Sequence, residues 1–296
     1  MKLRLGILGA DDTLEIILSV ARKYEELDLM PIVYWEEEDV IDKLRSYAET
    51  VDMWLFSGKV PYSIAKAWGG ISKPMFYVPY TGSSLYRTLL HIANERRWKL
   101  ELLSYDTFKP FALEQTFAEA NIEAKPVFLK YYPSTISTQE LSNYHYNLWR
   151  TNQTQGAVTC LRSAYLELQK RGVPVFRVLP AISSVEATLT VILRTQETLH
   201  FRDAQIAVQL IEVDTFVMMT KDRFSTDEIH RIELKVTKKL LEYTKKVQGS
   251  LKVAGPGRYV IFTTRGLVQG ITGNFTLVPD IENIRMFKDA VTCGMV

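Results

Sequence analysis

Short apolar runs alternate with amphipathic stretches through about the first 195 residues. Leu3–Leu8 is a predicted strand, and Thr13–Tyr24 follows it with apolar side chains at helical spacing. This alternation is typical of parallel α/β units. Further strands are predicted at Met30–Tyr34, Met53–Phe56, Met75–Val78, Leu100–Leu103, Val127–Tyr131, Ala157–Leu161 and Val175–Val178. Because eight strands are more than one small doubly wound sheet usually contains, we predict a two-lobed Rossmann-like domain in residues 1–197.

Helical patterns separate most of these strands, as at Leu85–Arg96 and Phe111–Ala120. We expect the chain to cross between lobes near residues 80–100 and to return later to the first lobe. Ser183–Glu197 is predicted to be a helix that joins the two parts of the chain. Asp12 and Glu15 have the spacing of an N-cap and its capping-box partner at the first helix.

The pattern changes from about His200 onward. Ala204–Glu212 is a predicted strand, and a helical stripe follows at Ile229, Ile232, Val236, Leu240, Tyr243 and Val247. Strands at Leu251–Ala254 and Tyr259–Thr264, a second helix and a last strand at Val291–Met295 complete the order. A β–α–β–β–α–β order predicts an α+β ferredoxin-like or palm domain in residues 198–296.

Composition excludes several classes of protein. With 47% hydrophobic and 24% charged residues, the 296-residue chain is an ordinary globular one. No apolar run reaches the roughly 18 residues of a membrane span, and Asp11 and Asp12 interrupt the apolar start too early for a signal peptide. Cys160 and Cys293 offer no disulfide framework, so we expect a reducing cytoplasm and no membrane partner. A net charge of +2 without a dense basic stretch predicts no DNA-reading surface in this chain.

The segment around Gln209–Phe216, a helix, and the run Lys252–Phe262 together resemble the GGDEF domains of diguanylate cyclases and the palm domain of archaeal GTP cyclohydrolase III. The resemblance covers about 95 residues and lies in spacing more than identity. It implies that Glu212 and Asp214 match the acidic pair on the first strand. The signature hairpin reads Gly255-Pro256-Gly257-Arg258, with Gly257 and Arg258 where the family carries acidic residues.

Nucleotidyl transfer needs carboxylates that hold Mg²⁺ against the triphosphate, and an arginine would repel the metal. We therefore predict a degenerate cyclase site formed by Glu212, Asp214, Gly255, Gly257 and Arg258 that has lost catalysis. Two roles remain open for this domain. It is a dimerisation or spacer module, or it is a nucleotide sensor in which Arg258 and Arg265 contact phosphates.

Ligands of open α/β domains bind beyond the carboxyl ends of the strands. The loop Gly9–Thr13 lacks a dinucleotide fingerprint, and we predict that its aspartates cap the helix. The loops after the next strands carry small hydroxylic, basic and aromatic residues. We predict ligand contacts from Ser57, Gly58, Lys59, Tyr62, Tyr80, Thr81, Gly82, Ser83, Ser84, Arg87, Arg162 and Ser163. The alternative for Ser83 or Ser84 is that it only caps the helix.

These loops, with the later runs Gly156–Tyr165, Gly172–Phe176 and Ser183–Ala187, resemble the sensor domain of propionate-catabolism activators over about 190 residues. Such a domain joined to a degenerate GGDEF-like one is the plan of several bacterial regulators, including the purine-catabolism-regulator class, which carry a C-terminal helix-turn-helix. Because the chain ends at Val296, close to the last predicted strand, we expect any DNA contact to come from a further domain.

We therefore predict the effector-binding and homodimerising part of a bacterial transcription regulator, not an enzyme. The expected effector is a small metabolite, and the polarity of the cleft loops favours an anionic one. We predict no cofactor and no metal, since the four histidines lack metal-site spacing. The alternative is a Mg²⁺-dependent GTP-processing enzyme that uses Glu212 and Asp214.

Overall fold

A computed structural model describes residues 2–122, 127–131, 137–213, 226–255, 257–272 and 284–287. The chain divides into two compact units, Met1–Leu193 and Arg194–Val296, here called the N-terminal and C-terminal units. The domain boundary predicted from the sequence lies between residues 197 and 198. The fold is mixed α/β with two parallel, Rossmann-like sheets, which confirms the predicted fold class.

The N-terminal unit begins with a lobe built on a parallel sheet in the order β2-β1-β3-β4. Its strands are β1 (Leu3–Gly9), β2 (Leu27–Val33), β3 (Met53–Phe56) and β4 (Met75–Tyr77). Its helices are α1 (Asp11–Ala21), α2 (Val40–Tyr47) and α3 (Lys59–Trp68). This is the first lobe.

The second lobe repeats the plan with a parallel sheet in the order β6-β5-β7-β8. Its strands are β5 (Leu103–Asp106), β6 (Phe128–Lys130), β7 (Gly156–Thr159) and β8 (Val175–Arg177). Its helices are α5 (Pro110–Glu119), α6 (Thr138–Arg150) and α7 (Arg162–Lys170).

Two helices connect the lobes. Helix α4 (Gly82–Arg96) follows β4 and leads into the second lobe. Helix α8 (Ile182–Ala204) follows β8, and its first turns contact the first lobe again, where the Ser184 hydroxyl lies 3.1 Å from that of Thr81. The predicted crossing near residues 80–100 and the predicted return to the first lobe are both confirmed.

The central strands β3 and β7 are buried on both faces, which explains why β3 appears as a continuous apolar run. All four side chains of β3 and all four residues of β7 are buried. Gly9 ends β1 against Ser57, and a Cβ at this position would lie 2.6 Å from that of Ser57. Only glycine permits this close approach of the two strand ends.

Three sequence predictions differ from the structure or lie outside it. The predicted capping box of Asp12 and Glu15 is wrong: α1 begins at Asp11, and its N-cap residue, Ala10, makes no side-chain capping bond. The strand predicted at Leu100–Leu103 begins at Leu103, after a single 3₁₀ turn. The strand predicted at Val291–Met295 lies outside the described residues.

The C-terminal unit contains an antiparallel sheet in the order β10-β11-β9-β12, the arrangement of a βαββαβ ferredoxin-like fold. Its elements are β9 (Ile206–Val213), α9 (Thr226–Lys246), β10 (Ser250–Gly255), β11 (Arg258–Thr264), α10 (Arg265–Thr272) and β12 (Ile284–Phe287). The predicted helix is confirmed as α9, and its apolar stripe packs on one face of this sheet. The cluster includes Leu240 on the helix and Val247 directly after it, with Ile211, Tyr259 and Ile261 on the strands.

The opposite face of this sheet exposes apolar side chains. Ile206, Leu210 and Phe262 are 76%, 46% and 42% exposed. Strand register places Val260 beside Leu210 and Val208 beside Phe262, and both valines are partly exposed. These five side chains, called the open face below, form a contiguous apolar surface.

Candidate functional site

The carboxyl ends of the two parallel sheets face each other across one cleft within the N-terminal unit. Asp11 and Asp12, directly after β1, form ion pairs with Arg162 at the start of α7 and Arg177 at the end of β8. The Arg162 Nη2 atom donates to Asp11 Oδ2 at 2.7 Å, and its Nε atom contacts Oδ1 of the same carboxylate. Arg162 and Asp11 therefore form a close ion pair with one hydrogen bond between the two lobes.

A second link across the cleft involves Glu37, which follows β2. The Ser163 hydroxyl lies 2.9 and 3.0 Å from the two Glu37 oxygens, and the Thr138 hydroxyl lies 3.0 Å from one of them. Burial raises the pKa of Glu37, and the two hydroxyl hydrogen bonds oppose that rise. Both hydroxyls belong to the second lobe, so this carboxyl ties the lobes together.

Lys59, the first residue of α3, makes a third link. Its Nζ atom lies 3.5 Å from the Tyr131 hydroxyl and 5.5 Å from the centre of that ring. In the part of the chain that the structure describes, no carboxylate forms an ion pair with Lys59. At the start of α3, the cleft therefore contains a cation, Lys59, that contacts the aromatic ring of Tyr131.

Arg177 lies among neutral, buried groups. Burial raises the pKa values of the Tyr34 and Tyr80 hydroxyls and of the Cys160 thiol, so all three remain protonated at neutral pH. The positive charge of Arg177 opposes each of these rises, which shows that all three groups lie within range of its field. The guanidinium thus lies among neutral polar groups, with the carboxylates of Asp11 and Asp12 within range of its charge.

Behind the strand ends, a buried polar chain supports the second lobe. His145 on α6 has its Nδ1 2.7 Å from the Ser104 hydroxyl and its Nε2 3.0 Å from Asp106 Oδ2. Asp106 Oδ1 accepts the backbone N–H of Cys160 at 3.2 Å. The Ser104, Asp106 and His145 side chains are fully buried. The chain therefore joins the ends of β5 and β7 to α6.

Three consecutive glutamates form the group that could hold a metal ion among the described residues. Ligand atoms of Glu36, Glu37 and Glu38 lie within 4.8 Å of one another. The Glu37 oxygens already accept the hydroxyl groups of Thr138 and Ser163. The contact between the lobes accounts for this arrangement without a cation.

The structure places the sequence-predicted ligand residues in two groups. One group lies at the cleft, at the carboxyl ends of β3, β4 and β7 or in the turns that follow: Ser57, Gly58, Lys59, Tyr80, Arg162 and Ser163. The other lies at or near the start of α4 or beside it: Tyr62, Thr81, Gly82, Ser83, Ser84 and Arg87.

The second group joins the two connecting helices. The Ser84 hydroxyl accepts the backbone N–H of Ala181 at 3.1 Å, and Arg87 Nη2 donates to the Leu179 carbonyl at 3.0 Å. Neither Ser83 nor Ser84 caps α4, since the N-cap residue is Thr81 and makes no side-chain capping bond. Tyr62, Thr81 and Ser83 instead line a mostly apolar groove of about 600 Å³ between β4 and α8.

Sequence reasoning missed the charged residues that dominate the cleft. The aspartates of the first loop were predicted to cap α1, but their carboxylates pair with arginines of the other lobe. Arg177 was counted only as part of a strand. A signal was available, because an arginine at the carboxyl end of an apolar parallel strand lies where ligands of such folds bind.

The predicted degenerate cyclase site lies at one end of the C-terminal sheet. Arg258 is the register partner of both Gly255 and Glu212 on the neighbouring strands. Gly257 has a φ of 69°, a left-handed conformation that an acidic side chain would adopt only with strain. Asp214 lies outside the described residues. The backbone thus brings together those members of the site that are described.

No protein-family model matches the chain, and no curated protein matches it. Among solved structures, an NtrC family transcriptional regulator from Clostridium acetobutylicum matches with a TM-score of 0.52 and 14% identity, covering 67% of this chain and 98% of that one. This likeness shows a shared fold.

Two other structures match more distantly. An ABC domain from Streptococcus pneumonia in complex with L-Trp has a TM-score of 0.40 and 9% identity, over 67% of this chain and 85% of that one. A fructose-binding periplasmic domain of a hybrid two-component system has a TM-score of 0.33 and 15% identity, over 66% and 85%. Scores this low support no argument. Among the described residues of this chain, no helix is both long and apolar enough to cross a bilayer.

Proposed function

We propose that this chain is the effector-binding part of a bacterial transcription regulator, with a small metabolite held in the cleft between the two lobes. The observation that carries the proposal is the set of polar links between opposing strand ends, made by Asp11, Asp12, Glu37 and Lys59 of the first lobe. Polar groups at the facing carboxyl ends of parallel sheets are where open α/β folds bind ligands. The shared fold with a solved regulator is compatible with this role.

The proposal assigns binding, not catalysis, to the cleft. Its titratable groups are engaged with one another, and the buried chain of Ser104, Asp106 and His145 has no exposed atom to act on a substrate. In the C-terminal unit, Arg258 and Gly257 replace the carboxylates that nucleotidyl transfer requires. We propose that this unit is a GGDEF-like module without activity.

We further propose that the chain forms a homodimer through the open face of the C-terminal unit. That face contains no charged side chain among its five members, so a second copy meets no like-charge repulsion there. Contiguous exposed apolar surface marks interaction sites in soluble proteins. DNA binding is assigned to a domain outside this chain, and a gene product without residues beyond Val296 would contradict that assignment.

The test of effector binding is a thermal-shift screen against sugars, carboxylates, amino acids, sugar phosphates and nucleotides, each with and without Mg²⁺. A ligand at about 100 times its dissociation constant adds roughly 2.7 kcal/mol, which raises the melting temperature by about 5–11 °C for a domain near 200 residues. Hydrogen exchange then locates the site. We expect a Mg²⁺-independent hit that protects residues 9–12, 57–60, 159–163 and 177–181.

Other protection patterns would reassign the site. Protection confined to the groove between β4 and α8 would move it away from the cleft. Protection of the hairpin at 255–258 by GTP, only with Mg²⁺ and with turnover, would establish the enzyme that uses Glu212 and Asp214. A screen without any hit would overturn the effector-binding proposal.

A further inference from the structure

Arg177 differs from the other arginine of the cleft in how its donors are used. Its side chain is 9% exposed, and its Nε atom donates to Asp12 Oδ2 at 3.1 Å. The buried Nη1 atom has no hydrogen-bond partner. Arg162 differs in that both oxygens of Asp11 contact its guanidinium, although its buried Nε atom also makes no hydrogen bond. Arg177 is therefore a buried cation that pairs with Asp12 and hydrogen bonds with the Tyr80 hydroxyl, while its Nη1 atom is left without an acceptor.

A buried donor without an acceptor is costly, and more so on a charged group. Guanidinium does not lose its proton, so Arg177 cannot escape this cost by becoming neutral. Folded proteins leave few such groups unpaired, and each exception requires an explanation. An acceptor supplied by a bound molecule explains this one, since Arg177 ends β8 at the edge of the sheet where ligands of this fold bind.

The charges around Arg177 restrict what that molecule carries. Tyr34, Tyr80 and Cys160 are neutral there, and Asp12 is the carboxylate that contacts the guanidinium. Asp12 meets it through one oxygen only. A dianion would add two charges beside Asp12, whereas a monoanion adds one and accepts the free N–H. A carboxylate also matches the planar fork of arginine.

We propose that Arg177 is the anion-binding residue of the effector site and that the effector is a small monocarboxylate whose carboxylate accepts from Nη1 and shares the guanidinium with Asp12. This inference rests on the proposed function, because it assigns a chemical class to the ligand of the same cleft.

The test uses pairs of probes that differ only in charge. Lactate, pyruvate, benzoate and L-amino acids are each compared with the corresponding primary amide, and inorganic phosphate is added as a different anion. Binding to the whole chain is measured by isothermal titration calorimetry. We expect at least one carboxylate to bind and its amide to bind about 10- to 100-fold more weakly, the range that a hydrogen bond to a charged group supports.

Three variants connect that difference to Arg177. Arg177→Gln is expected to abolish the preference for acid over amide, and Arg177→Lys to restore it only in part, because lysine lacks the fork. Asp12→Asn is expected to tighten carboxylate binding, since it removes the like charge beside the ligand. Arg45→Gln is the matched control, because Arg45 is 61% exposed and pairs with Asp42 on its own helix. Circular dichroism establishes that each variant is folded.

Several outcomes would overturn the inference. Equal binding of acid and amide would mean that no carboxylate reaches Arg177. Binding of phosphate without binding of any carboxylate would show that the proposed class of anion is wrong. Weaker carboxylate binding in Asp12→Asn would contradict the shared guanidinium. If Arg177→Gln is unfolded, the binding measured with Asp12→Asn and Arg177→Lys decides whether the carboxylate contacts Arg177. If no probe binds but a sugar or nucleotide binds in the wider screen, the effector site stands and the assigned ligand class is wrong.

Discussion

Two carboxylates of the N-terminal unit have pKa values shifted in opposite directions. Burial raises the pKa of Glu37, although the hydroxyls of Ser163 and Thr138 bind it. A hydrogen bond and the charge of Arg4 lower the pKa of Asp52. Each shift makes the stability of the folded unit depend on pH.

We expect Glu37→Gln to stabilise the N-terminal unit relative to the native chain at pH 8 and to lose this advantage as the pH falls toward 4. Because the pKa of Glu37 is higher in the folded state, the ionised carboxylate destabilises the fold at pH values above its unfolded pKa of about 4.3. That cost disappears once the carboxyl is protonated in both states. Each unit of pKa difference corresponds to about 1.4 kcal/mol. Urea unfolding followed by tryptophan fluorescence measures this unit alone, since all five tryptophans lie between residues 35 and 149.

Asp52→Asn is the control of opposite sign. Because the pKa of Asp52 is lower in the folded state than in the unfolded state, the ionised carboxylate stabilises the fold at pH values above its unfolded pKa. That contribution is lost as the pH falls through the pKa of the folded state. This variant should therefore be less stable than the native chain at pH 8, with a difference that shrinks in acid. If both variants change in the same direction, burial does not govern the charge of Glu37.

At the same scale, the sequence predicted the position of the site better than its chemistry. The Ser57–Lys59 turn and the Arg162–Ser163 pair lie at the cleft, as the strand-end rule requires. The partner of Arg162, however, is Asp11, 151 positions away in the chain. Local spacing cannot show such a contact, because the folding of two separate lobes brings it about.

The sequence pattern predicted strands well where every residue is apolar and buried. It predicted them less well where a polar residue stands at a buried position of the strand. The pattern located β3 without error, because all four of its residues are apolar and buried. It missed most of β5, since Ser104 and Asp106 interrupt the apolar run. His145 on α6 satisfies both, so the strand buries polar groups that periodicity assigns to a surface.

Helix α9 permits a matched test of its predicted stripe, because two adjacent leucines differ in burial. Leu240 is 2% exposed and Leu241 is 47% exposed. We expect Leu240→Ala to destabilise the C-terminal unit by about 2–5 kcal/mol, since it leaves a cavity against Ile211 and Tyr259. Leu241→Ala should change stability by less than about 1 kcal/mol.

This unit contains no tryptophan, so hydrogen exchange of the backbone amides in α9 is the suitable measurement. Faster exchange in Leu240→Ala than in Leu241→Ala is expected across the whole helix. Equal exchange in the two variants would contradict the packing of the stripe on the sheet.

At the scale of the whole molecule, an α/β unit with a polar cleft occurs in the same chain as an antiparallel unit with an apolar open face. The first suits a small ligand, whose polar groups meet paired charges. The second suits a protein surface, where a central apolar patch is surrounded by polar groups such as Lys252, exposed on the neighbouring strand. A stable dimer usually buries about 800 Å² on each partner, so the open face would be the centre of a larger contact.

Leu210→Lys tests that contact directly. Leu210 is at the centre of the open face, beside Val260, and a lysine there places two positive charges together when a second copy packs against it. We expect the native chain to sediment as a dimer and Leu210→Lys to sediment with the mass of one chain, 34.0 kDa. Leu234→Lys is the control, because Leu234 is 71% exposed on α9, outside the open face. It should remain dimeric. Dissociation of both variants, or of neither, would show that the copies meet through another surface.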